Sequence, residues 1–252
     1  MRGAHRLLRA WAVAAALVGV AQAAPPAATL PTGRYSAPHD SGSLHVRREP
    51  GAAGRLRFDI ETVGGNCHIC GLSGHIERTR QGWVGRTEGP DVGRCHIALQ
   101  PLQGDAVRVT ALTPETCRGF CGARAGFEDT YRRPPAACSD GQRRVRRERA
   151  LASHRQGLWT PAARGLQALL EDCAGFMDNV TLDRVRSDLA LVQWRLGEPA
   201  ACRATLAETH AASLADEAAL REAMAPCDAD NYLPVARAIW FNLRRCQGTV
   251  AP

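Results

Sequence analysis

The sequence predicts an α+β protein in which an N-terminal antiparallel β-barrel, cross-linked by disulfides, precedes a C-terminal stack of α-helical hairpins. Three observations support this. Polar and apolar residues alternate in short segments before residue 112, apolar residues recur every three or four positions after residue 160, and ten cysteines divide six and four between the halves. We expect a barrel domain at residues 33–138 and a helical domain at residues 150–248, joined by a basic linker at residues 139–149.

Short strands are predicted across the N-terminal half. Residues 55–61, 94–99 and 106–110 alternate polar and apolar side chains, which is typical of strands with one buried face. About seven strands favour a closed meander, because closure removes the exposed edges of a small sheet. The segment 117–131 does not alternate, and we expect it to cross the barrel as a disulfide-held loop or a short helix. Weaker strand candidates lie at residues 33–36, 43–47, 70–78 and 83–86.

Helices are predicted across the C-terminal half. Thr160 and Pro161 suit the N-cap and the first position of a helix, and leucines then follow one face up to Cys173. Apolar residues at three- and four-residue spacing continue after this helix and predict a stack of about five or six helices. The other predicted helices lie at residues 182–196, from Pro199 onward, at 214–224 and at 228–245.

The segment from Asp188 to Cys202 resembles the central helix-turn-helix of a tetratricopeptide-type repeat, whose signature places Leu-Gly at the turn. Leu196 and Gly197 occupy that turn here, and Cys202 stands where the repeat commonly has a small residue. Such hairpins bury their apolar faces only by stacking on neighbours. The resemblance implies a helical stack with a concave surface for a partner.

All ten cysteines are expected to form disulfides, because the chain begins with an export signal. The even count in each half predicts that no disulfide crosses residue 145, and the strand positions predict that Cys67 and Cys70 do not pair with each other. Helices that alternate in direction would bring together Cys202 with Cys227 and Cys173 with Cys246. In the barrel, we predict Cys70 with Cys95, Cys138 with Cys117 or Cys121, and Cys67 with the remaining cysteine.

The first 23 residues have the basic start, apolar run and small-residue ending of a signal peptide, with cleavage expected after Ala23. A flexible leader is expected at residues 24–32. The apolar run is shorter than the ~20 residues of a membrane span, and no later segment is longer, so no transmembrane segment is expected. We therefore predict a periplasmic or secreted protein.

Positive charge is concentrated in one segment. The chain has a formal net charge of +7 and all 32 of its basic residues are arginine. Seven arginines lie between Arg132 and Arg149, where the only acids are Asp140 and Glu148. Such a cluster can attract nucleic acid, anionic lipid or anionic polysaccharide. Export makes nucleic acid an unexpected partner, and a solvated linker is the interpretation that we favour.

The sequence offers few candidates for a catalytic site. Cys67 and Cys70 have the CxxC spacing of thiol oxidoreductases, but the motif enters a strand and lacks the activating helix. Gly71 excludes haem attachment, which requires histidine there. Ser73 lacks the context of a hydrolase nucleophile and is expected to be an ordinary strand residue. A zinc site is a further alternative, and its ligands would come from Cys67, Cys70, His75, Cys95 and His96. We expect no cofactor and no bound metal.

The strongest candidate binding site lies on the predicted closing loop. Arg124, Glu128, Asp129 and Tyr131 place charged and polar side chains at the mouth of the barrel, where recognition residues are commonly found. In the alternative interpretation, Arg124 only holds the loop by hydrogen bonds to its carbonyls.

Two motifs carry a family resemblance. The segments 65–74 and 117–131 resemble uncharacterised exported proteobacterial proteins with a small barrel similar to that of periplasmic lysozyme inhibitors, over about residues 33–138. The resemblance assigns no functional residues. We expect a non-catalytic protein that binds an envelope protein or glycan, or acts as an inhibitor. The alternatives are a periplasmic adaptor or assembly protein acting through its helical stack, and a thiol oxidoreductase or metal-dependent hydrolase.

Overall fold

The computed structural model describes residues 29–52, 54–87 and 94–248. The predicted signal peptide at residues 1–23, its cleavage after Ala23 and residues 24–28 of the predicted leader lie outside the described residues. Residues 29–32 of that leader are described, and Leu30 packs in the barrel core, so the prediction of a flexible segment is wrong for them. Within the described ranges, no helix combines the length and the hydropathy that a membrane span requires.

Eight antiparallel strands close into a barrel, in which each strand pairs with the next and β8 returns to β1 through Ser36 and Arg132. The predicted barrel is confirmed, and all seven predicted strands are present. The eighth strand was missed, because its first three residues were assigned to the non-alternating segment 117–131 that it follows. The strands are β1 Gly33–Ser36, β2 Gly42–Arg48, β3 Leu56–Val63, β4 Ile69–Thr79, β5 Gly82–Thr87, β6 His96–Leu102, β7 Ala106–Ala111 and β8 Asp129–Arg132.

Alternation along the strands fills the barrel interior. Leu44, Phe58, Ile60 and Ile97 are fully buried, and each lies between more exposed neighbours in its own strand. Because a side chain of this size contributes about 1.5–3 kcal/mol when it is fully buried, these positions hold the barrel together. The same alternation was the sequence pattern that predicted the strands.

The helical region contains two hairpins and a long closing helix. In space, α2 contacts α3, α3 contacts α4, and α4 contacts both α5 and α7. A helical C-terminal half is therefore confirmed, and α4, the turn at Gly197 and α5 form the predicted helix-turn-helix. The helices are α1 Pro114–Cys117, α2 Asp140–Arg155, α3 Trp159–Cys173, α4 Asn179–Arg195, α5 Pro199–Ala207, α6 Glu217–Ala223 and α7 Pro226–Gln247.

Two local predictions in this half are wrong, and a third helix is shorter than predicted. Residues 139–149 are not a linker, because they form most of α2, whose Arg143 and Ala150 are buried. Thr160 is not an N-cap, because α3 begins one residue earlier, at Trp159. The predicted helix at 214–224 is the shorter α6, whose N-cap Asp216 accepts a hydrogen bond from the Ala219 amide at 3.0 Å.

All ten cysteines form disulfides, but none of the predicted pairs is correct. Cys67 and Cys70 do bond to different partners, as predicted. Two bridges cross residue 145, contrary to prediction. The even number of cysteines in each half therefore did not mean that the halves are cross-linked separately. The bridges are Cys67–Cys227, Cys70–Cys121, Cys95–Cys117, Cys138–Cys173 and Cys202–Cys246.

The two crossing bridges have different roles. Cys138 follows the barrel in sequence but packs with the helical core, beside Leu166 and Cys173. Its bridge to Cys173 therefore lies within the helical packing. Cys67, by contrast, lies in a turn between β3 and β4, and its bridge to Cys227 ties the barrel directly to the first turn of α7.

Candidate functional site

The segment from Leu112 to Glu128, which we call the mouth loop, crosses one end of the barrel. It contains α1 and a single 3₁₀ turn, and two disulfides attach it to the barrel: Cys121 to Cys70 in β4, and Cys117 to Cys95, the residue before β6. Cys95 and Cys117 are almost completely buried. The mouth loop is therefore fixed to the barrel at both of its cysteines.

Backbone contacts fix the second half of the mouth loop. The Gly65 amide donates to the Arg124 carbonyl at 3.2 Å, and the Thr62 hydroxyl donates to the Gly126 carbonyl at 2.8 Å. The approach is close enough to require glycine at Gly64, since a Cβ there would lie 2.0 Å from the Arg124 carbonyl oxygen. The loop conformation is thus set by the barrel before any partner binds.

A cavity of about 520 Å³ opens between the mouth loop and the end of β7. Its charged groups are Arg118 and Glu128, and the partly buried Cys121 and buried Phe127 lie among small residues in its wall. The volume is within the range of small-ligand sites, about 300–1,000 Å³. The lining residues are Ala111, Pro114, Cys117, Arg118, Cys121, Gly122, Ala123, Ala125, Gly126, Phe127 and Glu128.

Of the four predicted binding residues, Glu128 is the one that lines this cavity. Its carboxylate also accepts a hydrogen bond from the Ala111 amide at 2.7 Å, which fixes its position. Arg124 is exposed, and its backbone carbonyl rather than its side chain holds the loop. The alternative interpretation, in which the Arg124 side chain donates to loop carbonyls, is therefore wrong, because the contact is made by the backbone carbonyl.

The other two predicted residues, Asp129 and Tyr131, lie in β8, the strand that the sequence did not predict. Asp129 is exposed at the start of β8, where its carboxylate accepts from the Thr130 amide at 2.6 Å. Tyr131 is fully buried, and its hydroxyl donates to the Phe127 carbonyl at 2.7 Å. Burial raises the pKa of Tyr131 far above its usual range. Tyr131 is therefore a core residue that supports the loop and is not available to a ligand.

Sequence reasoning missed Arg118, the positive group of the cavity. It lies in the Cys117-Arg118-Gly119-Phe120-Cys121 segment, where both cysteines turn toward the barrel to reach their partners. Residues between two such anchors are left at the surface, and Arg118 is exposed. The spacing of these two cysteines was the signal that would have identified it.

The residues of the candidate catalytic patterns have structural partners instead. The cysteines of the CxxC motif bond to Cys227 and Cys121, and Cys95 bonds to Cys117, so no free thiolate remains for zinc or redox exchange while these bridges are intact. Among the described residues, no cluster of three or more histidine, cysteine or acidic side chains is arranged to hold a metal. Ser73 lies in β4 opposite Asp59, as expected of a strand residue.

No protein-family model, curated protein sequence or solved structure matches this chain.

Proposed function

We propose that this protein is an exported, non-catalytic binding protein whose mouth loop and cavity recognise an envelope protein or glycan. The observation that carries the proposal is the cavity beneath a loop anchored by two disulfides, with Arg118 and Glu128 as its charged groups. Five disulfides also support a location where thiols are oxidised.

The chemistry of the cavity suggests how recognition would occur. A loop that is held in place before binding loses little conformational entropy on association, so contacts to it contribute more to affinity. Arg118 can donate to a carbonyl or carboxylate, and Glu128 can accept from a hydroxyl or amide. Small residues in the wall admit a side chain or a sugar ring between these two groups.

The test is a pull-down from envelope extract with the full-length mature protein and with the double variant Arg118→Ala, Glu128→Gln. Glutamine keeps an acceptor for the Ala111 amide, so the loop should remain in place. We expect the wild type to retain a partner that the variant loses. Isolated halves are unsuitable baits, because separating them would leave Cys67, Cys138, Cys173 and Cys227 without their partners.

Arg124→Ala provides the matched control. Arg124 is exposed on the same loop but does not line the cavity, so this variant should retain the partner. Loss of the partner with Arg124→Ala and not with the double variant would contradict the cavity as the site and favour the outer face of the loop.

The resemblance to lysozyme inhibitors suggests a narrower form of the proposal, in which the mouth loop enters the cleft of a lysozyme. Its probe is the inhibition of purified lysozymes by the wild type and by the double variant. Inhibition that persists undiminished in the double variant would exclude the cavity as the inhibitory surface.

An adaptor function is the second candidate, and the stacking of α2–α5 as two consecutive hairpins favours it. In this case the pull-down would return the same partner with the wild type and with the mouth-loop double variant.

A further inference from the structure

Positive charge and aromatic side chains meet where α4 and α7 end. Both helices pack against α5 and against each other. Residues 189–207 and 231–247, which contain the end of α4, all of α5 and most of α7, carry five arginines and a single acid, Glu198. The C-terminal ends of α4 and α7 are adjacent, since the Arg245 guanidinium lies 5.0 Å from the centre of the Trp194 ring.

Five side chains form a continuous surface there, which we call the arginine–aromatic face. The Arg195 guanidinium lies 4.9 Å from the centre of the Trp194 ring. The Arg245 guanidinium contacts that ring and also lies 4.4 Å from the centre of the Phe241 ring. Arg244 follows Phe241 by three residues, so it lies on the same side of α7. The members of the face are Trp194, Arg195, Phe241, Arg244 and Arg245.

The three arginines of this face have N–H groups available to an anion. Arg195 and Arg244 are exposed, and Arg245 is half-buried. None of the three side chains makes a hydrogen bond or an ion pair with any residue that the structure describes. A cation–π contact uses the flat face of a guanidinium group, so the N–H groups at the edge of Arg195 and Arg245 can still donate.

The ends of the two helices do not cancel this charge. A helix C-terminus carries about half an elementary negative charge, so α4 and α7 together offset about one of the three arginines. Arg203 reduces the field of α7 further, because it donates to the Cys246 carbonyl in the last turn at 2.8 Å. Glu198 makes no ion pair with Arg195. The arginine–aromatic face is therefore positively charged.

Phe241 gives this face an apolar group that water can reach. It is 48% exposed, the largest exposed fraction of any aromatic side chain among the described residues. An anionic polysaccharide would neutralise the arginines but has no apolar phase for the ring. The interface of an anionic bilayer has both, because its phosphate groups lie beside acyl chains.

We propose that the arginine–aromatic face docks on the surface of an anionic phospholipid bilayer, with its three arginines at the phosphate groups and Phe241 at the boundary with the acyl chains. A guanidinium group can donate two parallel hydrogen bonds to a phosphate. The arginine stems can lie along the apolar boundary while their charged ends stay in water. Three charges and one ring make the association peripheral and reversible. The face belongs to the helical half, so the proposal does not depend on the function of the mouth loop.

The experiment is co-sedimentation of the full-length mature protein, with its disulfides intact, with lipid vesicles. One set contains phosphatidylglycerol and phosphatidylcholine in equal parts, and the other contains phosphatidylcholine alone. We expect saturable binding to the anionic vesicles, more than about tenfold tighter than to the neutral ones. Raising the salt concentration should weaken this binding. Because the comparison uses the wild type alone, it tests the proposal even where a variant does not fold.

Variants locate the docking face. Arg195→Gln and Arg244→Gln should each weaken binding to the anionic vesicles about fivefold, and Phe241→Ala about threefold or more. Arg164→Gln and Trp159→Ala are the matched controls, since they remove an exposed arginine and an exposed aromatic ring from α3. Both controls should bind like the wild type. Circular dichroism should show that all five variants are folded.

The proposal is overturned if the wild type binds the anionic vesicles no more tightly than the neutral ones. It is also overturned if the two arginine variants of the face bind as tightly as the wild type, or lose no more affinity than Arg164→Gln. Undiminished binding of Phe241→Ala would overturn it as well, because attraction to any polyanion would then account for the result.

Discussion

Asn66 and Asp228 are joined by a hydrogen bond across the boundary between the barrel and the helices. The backbone amide of Asn66 donates to the Asp228 carboxylate at 2.7 Å. The side-chain carbonyl of Asn66 accepts from the backbone amide of Cys227, the neighbour of Asp228, at 3.0 Å. Asn66 has a φ of 57°, a left-handed conformation that asparagine tolerates better than most residues. The Cys67–Cys227 bridge thus connects two segments that also recognise each other through polar contacts.

Asp228→Ala should destabilise the folded protein. The carboxylate also accepts from the Cys67 amide at 3.3 Å, so its removal leaves two amides of the turn without their acceptor. We expect a loss of about 1–3 kcal/mol in the free energy of unfolding, measured by denaturant titration with the disulfides intact. Asp230→Ala is the control, because Asp230 makes a surface ion pair with Arg221 and should cost less than about 1 kcal/mol. Equal losses of unfolding free energy in the two variants would show that the Asp228 contacts stabilise the protein no more than a surface ion pair does.

Mild reduction should open the Cys67–Cys227 bridge first. Both of its cysteines are partly exposed, whereas every other bridge contains at least one cysteine that is no more than 2% exposed. Attack by a thiolate requires access to a sulfur atom, so exposure sets the order. Graded reduction followed by alkylation and mass spectrometry should label Cys67 and Cys227 before any other cysteine. Earlier labelling of Cys70 or Cys121 would contradict this order.

Arg143→Ala should be among the most destabilising changes in the helical half. The Arg143 side chain is 10% exposed and pairs with Asp40 of the barrel end and Asp140 of its own helix. The Asp40 carboxylate is 26% exposed and Asp140 is 91% exposed, so water compensates part of the loss. We therefore expect a cost of about 1–3 kcal/mol, below that of removing one partner of a fully buried pair. Thermal and denaturant unfolding provide the measurement. Arg144→Ala, one residue away but exposed, should change stability by less than about 0.5 kcal/mol.

The barrel was predictable because its signals are local. Alternation in three segments, with turn residues that separate four weaker candidates, predicted the strands, and closure followed from the number of strands. The strand β8 gave no such signal, since Asp129–Arg132 is too short to show a period and follows a loop. Tyr131 was consequently assigned to the binding loop, although its burial makes it a core residue.

The disulfide pairs were not predictable, because they depend on how distant elements meet. The two bridges that cross residue 145 take two cysteines from each half, so an even count in each half is also compatible with linked halves. The pairs predicted from alternating helix directions are wrong because α2 adds a helix at the start and α6 has only seven residues. A helix of that length rises about 10 Å and does not return the chain to the opposite end of the stack. Cys202 therefore meets Cys246 of α7.

One charged residue of the candidate site could be predicted from the sequence, and the cavity could not. The presence of polar residues on a cross-linked loop indicated Glu128 as a candidate, and Glu128 lines the cavity. The cavity itself depends on the pairing of Cys117 and Cys121, which brings Arg118 to the same opening. Without those partners the cavity could not be inferred, although the spacing of Cys117 and Cys121 indicates that Arg118 lies at the surface.

The tyrosines should determine how stability falls at alkaline pH. All three tyrosines of the chain, Tyr35, Tyr131 and Tyr232, have raised pKa values, and burial is the largest cause in each case. For Tyr232, donation of its hydroxyl to the buried Asp183 at 2.5 Å raises the pKa further. The chain has no lysine, and its ten cysteines are in disulfides, so these groups do not titrate in this range.

The direction in which the free energy of unfolding changes with pH follows from the number of protons that each state binds. In the unfolded chain tyrosine loses its proton near pH ~10, whereas the folded protein retains it to higher pH. The folded state therefore binds more protons above pH ~10, and the free energy of unfolding should be unaffected by the tyrosines below that pH and fall as pH rises above it. Each tyrosine contributes a slope of up to about 1.4 kcal/mol per pH unit.

The measurement is denaturant unfolding at a series of alkaline pH values, together with the ultraviolet absorbance of tyrosinate. We expect tyrosinate to form together with unfolding rather than in a separate step near pH ~10. Tyr131→Phe removes one titrating hydroxyl without a large change in shape, so it should reduce the alkaline slope by up to one third. A tyrosinate signal that develops near pH ~10 while the protein remains folded would show that the hydroxyl groups are accessible, and the burial assigned to Tyr131 and Tyr232 would be wrong.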